Sequence, residues 1–256
     1  MMPSRAFIGL DGCRGGWICA RWDGAGALQL SRIARLEDLL DAGAPAALPM
    51  IAIDMPIGLP ETVGPKGRTA ERLARPNLGP RQSSVFSVPA RAAVEAGVRA
   101  GVDEATRYRA ACAAARATSN PPRAVAKQCF HIFPKIMEVD ALLRSRPELL
   151  PFVHECHPEV AFWAMNGCSP VRQAKKVKNR PNPAGLDLRK GLLEAEGLPI
   201  DALTAQAALA LKAGLDDLID ACACAWTAKR VAYGKALRFP DPPEQDAHGL
   251  PVCITA

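Results

Sequence analysis

Three short apolar runs crowd into the first 33 residues, at Phe7 to Leu10, Trp17 to Trp22 and Ala27 to Ile33. They are separated only by a Gly-rich turn and by Asp23-Gly24-Ala25-Gly26. Runs this short, joined by turn residues, cannot be helices; they predict three strands in an antiparallel meander. "RLEDLLDAG" then has the Leu36, Leu39, Leu40 spacing of a short helix closing at Gly43, and "PMIAIDMP" reads as a compact buried strand ending at Asp54. The order so far is βββαβ, which already restricts the chain to a mixed α/β sheet.

From Pro56 to about Pro151 the character changes to Pro and Gly breaks with Arg-rich helical stretches, such as 103 to 117 and 135 to 146. This predicts a mostly helical insertion at about 60–150 in a single domain spanning 1–256. A fifth strand, Phe152 to Glu155, precedes a helix beyond Pro158. The Lys- and Pro-rich stretch 169–184 reads as loop, and helices are expected at about 186–196 and 202–213. A long Ala- and Cys-rich helix, "LDDLIDACACAWTAKRVAYG", ends at Gly234, and the tail "FPDPPEQDAHGLP" reads as loop.

Composition narrows the function classes. No stretch approaches the roughly 20 apolar residues of a membrane helix, and no signal peptide is evident, so a cytoplasmic protein without membrane association is expected. The nine scattered cysteines include no CxxC pair and read as reduced thiols. Net charge is +6, yet residues 62–146 carry 15 Lys/Arg against 6 Asp/Glu, so the remainder is slightly acidic. A basic block of this kind points to an anionic partner, nucleic acid first, or else to a solvated helical surface.

The acidic residues are placed where Asp needs a reason. Asp competes with the strand ladder, yet Asp11 and Asp54 both end strands. Singly, each reads as a turn former; side by side in one sheet, they put two carboxylates in one place, which calls for a cation. Asp217 and Asp220 share one face of the late helix, with Asp216 about a third of a turn away. Acids in a first turn commonly complement the helix dipole, but Asp220 opens a run of small residues, Ala221 to Ala225, that should be buried. Glu155 is a further lone acid at a strand end. Together these acids offer hard oxygen ligands, which favour Mg²⁺ or Mn²⁺; a pair of such ions about 4 Å apart is the recurring device for phosphodiester hydrolysis.

The βββαβ order, an Asp on the first strand, an acid ending the fourth and a late DxxD helix resemble the RNase H-like superfamily, particularly its resolvase-like branch. "GLDGCRGGW", "IDMPIGLP", "LGPRQSSVFSVPAR", "HECHPEVAFWAMNG" and "DDLIDACACAWTAKR" together resemble a bacterial family catalogued as a domain of unknown function and described as predicted RNase H-like nucleases. The resemblance implies an α/β fold, with an RNase H-like mixed five-stranded sheet in βββαβαβα order, flanked by helices and carrying a helical insertion. It implies a metal-dependent nuclease, a hydrolase of nucleic acid binding two Mg²⁺ or Mn²⁺ ions. Asp11 and Asp54 would be strand ligands and Asp217 and Asp220 helix ligands, while Glu155, without a clear counterpart, would assist or orient water.

In the insertion, Arg81, Ser83, Ser84 and Arg91 are donors suited to phosphate oxygens, Arg68, Arg72 and Arg75 recur at helical spacing, and Lys135 could reach the site. The same residues also suit solvated and capping roles. Zinc is a weaker reading: His154 and Cys156 of "HECH" face away from Glu155 on a strand, and the other histidines are His131, His157 and His248. The actin-like sugar kinases share the βββαβ core, but no GxxxxGKS/T or GxGxxG follows a strand here. A catalytically silent binding module of the same fold is the principal alternative to a nuclease.

Overall fold

A computed structural model of the chain describes residues 6–40, 48–178 and 180–256. A mixed five-stranded sheet runs in the order β3-β2-β1-β4-β5, formed by Phe7–Cys13 (β1), Gly16–Trp22 (β2), Leu28–Ile33 (β3), Met50–Asp54 (β4) and Val153–Glu155 (β5). The meander β1-β2-β3 is antiparallel, whereas β4 and β5 join β1 in parallel. Helices cover both faces, and a helical insertion separates β4 from β5, which is the RNase H-like topology.

Alternation along β1 and β4 assigns each face its core. Ile8, Leu10, Ile51 and Ile53 pack against the insertion, built from Thr69–Ala74 (α1), Arg91–Gly97 (α2), Glu104–Ala117 (α3), Lys127–His131 (α4) and Phe133–Ser145 (α5). Phe133, Ile136, Val139 and Leu143 form the apolar stripe of α5, at the spacing of one helix face. The residues between them on the strands, Phe7, Met50 and Ala52, face the other layer. That layer holds Pro158–Met165 (α6), Pro183–Ala195 (α7), Ala205–Ala210 (α8) and Leu215–Ala232 (α9).

The helix α9 lies directly on β1 and β4, and small residues explain how. A Cβ on Gly9 would stand 1.8 Å from the Ala221 carbonyl oxygen and 2.2 Å from the Ala225 nitrogen. Only glycine on the strand and alanine on the helix allow backbones to meet this closely. The run Ala221 to Ala225 is accordingly buried throughout.

The described elements differ from the sequence expectations at four places. Leu36–Leu39 is a 3₁₀ turn, and the expected closure at Gly43 lies outside the described residues. The stretch 169–184 contains a small hairpin, Lys176–Val177 (β6) with Arg180–Pro181 (β7). The helix expected at 202–213 divides into a 3₁₀ turn at Ile200–Ala202 and α8. The tail is not loop: Arg238–Gln245 (β8) pairs with Pro251–Thr255 (β9). Proline is tolerated in β8 because it is an edge strand pairing with β9 alone, and its register breaks between Phe239 and Glu244. No helix among the described residues is long and apolar enough to cross a membrane.

Candidate metal centre

The strand ends make the site. Asp11 and Asp54 are directly paired across the parallel β1–β4 ladder. Counting back by twos, Asp11 shares its face with Gly9, and Asp54 with Ala52 and Met50, so both carboxylates point to the α9 side. There, Asp220 comes down from α9, 3% exposed, and Asp216 and Asp217 come from its first turn. All five acids line one cleft of about 490 Å³ at the carboxyl ends of β1, β4 and β5. This is where open α/β sheets place ligands.

Burial and crowding disturb these carboxyls. Asp11 is held well above the ordinary carboxylate range, first by burial and then by the charges of Asp54, Asp220 and Asp217. Burial also raises Asp54 to about 6 and Asp220 to about 6, in both cases against the opposing pull of Lys175. Asp11 and Asp54, side by side at the strand ends, thus stand where burial and neighbouring charge oppose ionisation. Asp217 is shifted upward by burial, while its Oδ2 accepts from the Gly214 N–H at 2.8 Å and so caps α9.

Two lysines meet these acids. The Lys175 ammonium pairs with Asp220 Oδ2, and Lys176 pairs with Asp216 at 2.6 Å. The second oxygen of Asp220, Oδ1, is buried without a hydrogen-bond partner among the described residues. Among those residues, no three His, Cys, Asp or Glu side chains are grouped so as to hold a metal ion. The donor chemistry nevertheless fits a hard divalent cation: the acids offer only oxygen, they repel one another, and one buried oxygen has no donor.

Glu155 lines the same cleft but belongs to the other face of the sheet. It stands beside Ile53 in the β4–β5 register, one step out of phase with Asp54. Its Oε1 accepts from Arg68 Nη2 at 2.6 Å, and its Oε2 from the Ile57 N–H at 2.8 Å. Arg68 also binds Glu71 at 2.6 Å and the Ile57 and Gly58 carbonyls, so this buried triad clamps the turn that leaves β4.

The basic candidates divide in the same way. Arg81 and Ser84 line the cleft, whereas Ser83 is exposed beside it and does not. Arg91 is turned away and consumed by Asp140 at 2.8 Å and Asp246 at 2.9 Å. Lys135 packs its stem on Gly12, donates to the Gly16 carbonyl and stacks over the Trp17 ring at 4.3 Å. Arg75 donates to the Val85 and Lys66 carbonyls, while Arg72 stays exposed. His154 bonds the Pro151 carbonyl, and burial lowers it to about 4; His157 lines the cleft and meets the Ser84 carbonyl at 3.2 Å. All nine cysteines are free thiols.

Two groups at the cleft escaped the sequence reading. Lys175 lies in the Lys- and Pro-rich stretch that reads as loop, and its only signal is the charge run "KKVKNR". Glu159 follows α6's Pro158 like a dipole-complementing acid, yet it forms a buried two-oxygen pair with Arg189 at 2.7 and 2.8 Å.

With this geometry in hand, comparison with known families is decisive on one point. A family described as "Protein of unknown function (DUF429)" matches residues 9–245. The chain belongs to the DUF429 family. That span includes Asp11, Asp54, Asp216, Asp217 and Asp220 and the whole five-stranded sheet except its first two residues. No curated protein and no solved structure matches the chain.

Proposed function

We propose that this DUF429 chain is a nuclease of RNase H-like ancestry that hydrolyses phosphodiester bonds in nucleic acid with Mg²⁺ or Mn²⁺. The observation that carries the reading is the in-register pair Asp11 and Asp54 under Asp220, two buried acids and one half-buried acid from three elements facing one cleft. These three, with Asp217 from the start of α9, would hold the metal. Two divalent ions bound there would supply an activated water and charge to stabilise the leaving oxygen.

The chain's own residues have separate tasks in this reading. Asp11 and Asp54, whose carboxyls burial shifts upward, must be ionised before both can act as ligands. Arg81 and Ser84, which also line the cleft, would be donors for phosphate oxygens of the substrate. Glu155 is a positioning residue: through Arg68 and the Ile57 N–H it fixes the turn beyond Asp54. The Lys175–Asp220 pair favours one competing reading, a silent nucleic-acid-binding module in which lysine has permanently replaced metal.

Cleavage of labelled single-stranded DNA, duplex DNA, RNA, RNA–DNA hybrid and a four-way junction, each with and without Mn²⁺, tests the proposal. Metal-dependent cutting of at least one substrate is expected, reduced about 100-fold or more by Asp54→Asn. Cutting that is independent of metal, or untouched by Asp54→Asn, contradicts it.

A further inference from the structure

Lys175 is not placed as a surface lysine would be. The backbone leading into it is pinned: the Gln173 carbonyl accepts from Arg189 Nη1 at 2.9 Å, the Ala174 carbonyl from Asn182 Nδ2 at 2.7 Å, and the Lys175 carbonyl from the Asn182 N–H at 2.9 Å. Arg189 is itself fully buried and held by Glu159. Gly185 lets the first turn of α7 press on this strap, since a Cβ there would lie 2.0 Å from the Ala174 carbonyl oxygen. The strap therefore delivers one ammonium into the acid cleft, where it pairs with Asp220 and its charge also acts on Asp11, Asp54 and Asp217.

One ammonium is a poor match for that surrounding. It brings a single positive charge to several carboxyls, and it leaves Asp220 Oδ1 buried with no donor. Of the other buried acids at the cleft wall, Glu159 is held by Arg189, Glu155 and Glu71 by Arg68, and Asp216 by Lys176. The lysine also has a way out: its side chain is 22% exposed, against 4% for Asp220, and its four-carbon stem can swing without moving the pinned backbone.

We propose that Lys175 is a tethered counter-cation that competes with divalent metal for Asp220, so that metal enters the cleft only as the ammonium leaves. This rests on the metal-dependent reading above and adds to it a built-in brake. Displacement frees Asp220 Oδ2 beside the unpartnered Oδ1 and gives the incoming cation both oxygens. Lys176, which pairs with Asp216 and is 45% exposed, serves as the comparison: it carries the same charge nearby but does not touch Asp220.

Direct Mn²⁺ binding, read from the electron paramagnetic resonance signal of free Mn²⁺, decides the matter on the full chain. Lys175→Met is expected to bind Mn²⁺ about tenfold or more tightly than wild type, Lys175→Arg more weakly, and Lys176→Met within about threefold of wild type. If Lys175→Met does not fold, the wild-type and Lys175→Arg affinities still decide, since a fork-shaped guanidinium should hold Asp220 harder. Equal affinities across the series, or weaker binding in Lys175→Met, overturn the competition while leaving the metal reading intact, provided Asp54→Asn abolishes wild-type binding. No Mn²⁺ binding by any variant at millimolar concentration overturns both.

Discussion

Asp11 and Asp54 face each other across the parallel β1–β4 ladder, both on the α9 side of the sheet. Two acids in this relation are costly to the fold, because burial and mutual repulsion oppose their charged forms. The fold accepts them at the one edge of the sheet where three strands end under the start of a helix.

Stability should therefore fall as pH rises through the weakly acidic range. Asp54 and Asp220, raised to about 6, and Asp11, raised further, retain protons in the folded chain that the unfolded chain has already released. Their contribution is fully present below about pH 4 and is lost as pH climbs to about 6 and beyond. Urea unfolding at pH 4.5 and 7 should show Asp54→Asn gaining on wild type by on the order of a few kcal/mol between those pH values. An equal difference at both pH values would mean that the carboxyls are not perturbed.

Gly9→Ala should be among the most damaging single-methyl additions in the chain. The new Cβ would enter the backbone of α9 at Ala221 and Ala225, which cannot yield as a flexible side chain would. A loss of about 3 kcal/mol or more is expected by chemical denaturation. Gly26→Ala, where nothing lies within 4 Å, should change stability by no more than about 0.5 kcal/mol.

Arg81 and Arg91 should separate cleanly. Arg81 lines the cleft, so Arg81→Ala should weaken nucleic-acid binding similarly across sequences and lower the salt dependence by about one counter-ion. Arg91→Ala would leave the buried Asp140 to the partly exposed Arg144, at 3.3 Å, and should cost about 3 kcal/mol of stability. Binding isotherms at several salt concentrations, alongside thermal melts, give both comparisons.

Arg189→Met should loosen the lysine strap. It leaves Glu159 buried and uncompensated, with an expected cost of about 3–5 kcal/mol, and it removes the donor to the Gln173 carbonyl. Limited trypsin digestion of the native chain should then cut after Lys175 or Lys176 faster than in wild type. The double variant Glu159→Leu, Arg189→Met should recover much of the stability without restoring protection.

The sheet was legible in the sequence because its strands are short, apolar and bounded by turn residues, and Asp11 and Asp54 stood out because Asp is a poor strand residue. Gly9 and the Ala221–Ala225 run carried the strand–helix contact in plain view, although only the packed structure gives them meaning together. Glu155 illustrates what a sequence conceals. Its place at a strand end looks identical to that of Asp54, yet the β4–β5 register turns it to the opposite face and into Arg68. Lys175 was hidden for a different reason: a lysine in a Pro-rich basic stretch looks solvated until Arg189 and Asn182 are seen to fasten that stretch. The β8–β9 hairpin was obscured by prolines, which the pattern rules treat as breakers but an edge strand admits.

The central claim is that Asp11, Asp54 and Asp220 form a divalent-metal site, and the most direct test is anomalous diffraction from crystals soaked in Mn²⁺. The account predicts an anomalous peak bridging Asp11 and Asp54 and reaching Asp220, with the Lys175 ammonium withdrawn, and no such peak in Asp54→Asn crystals. A cleft without anomalous density at high Mn²⁺, with Lys175 still paired to Asp220, would contradict it.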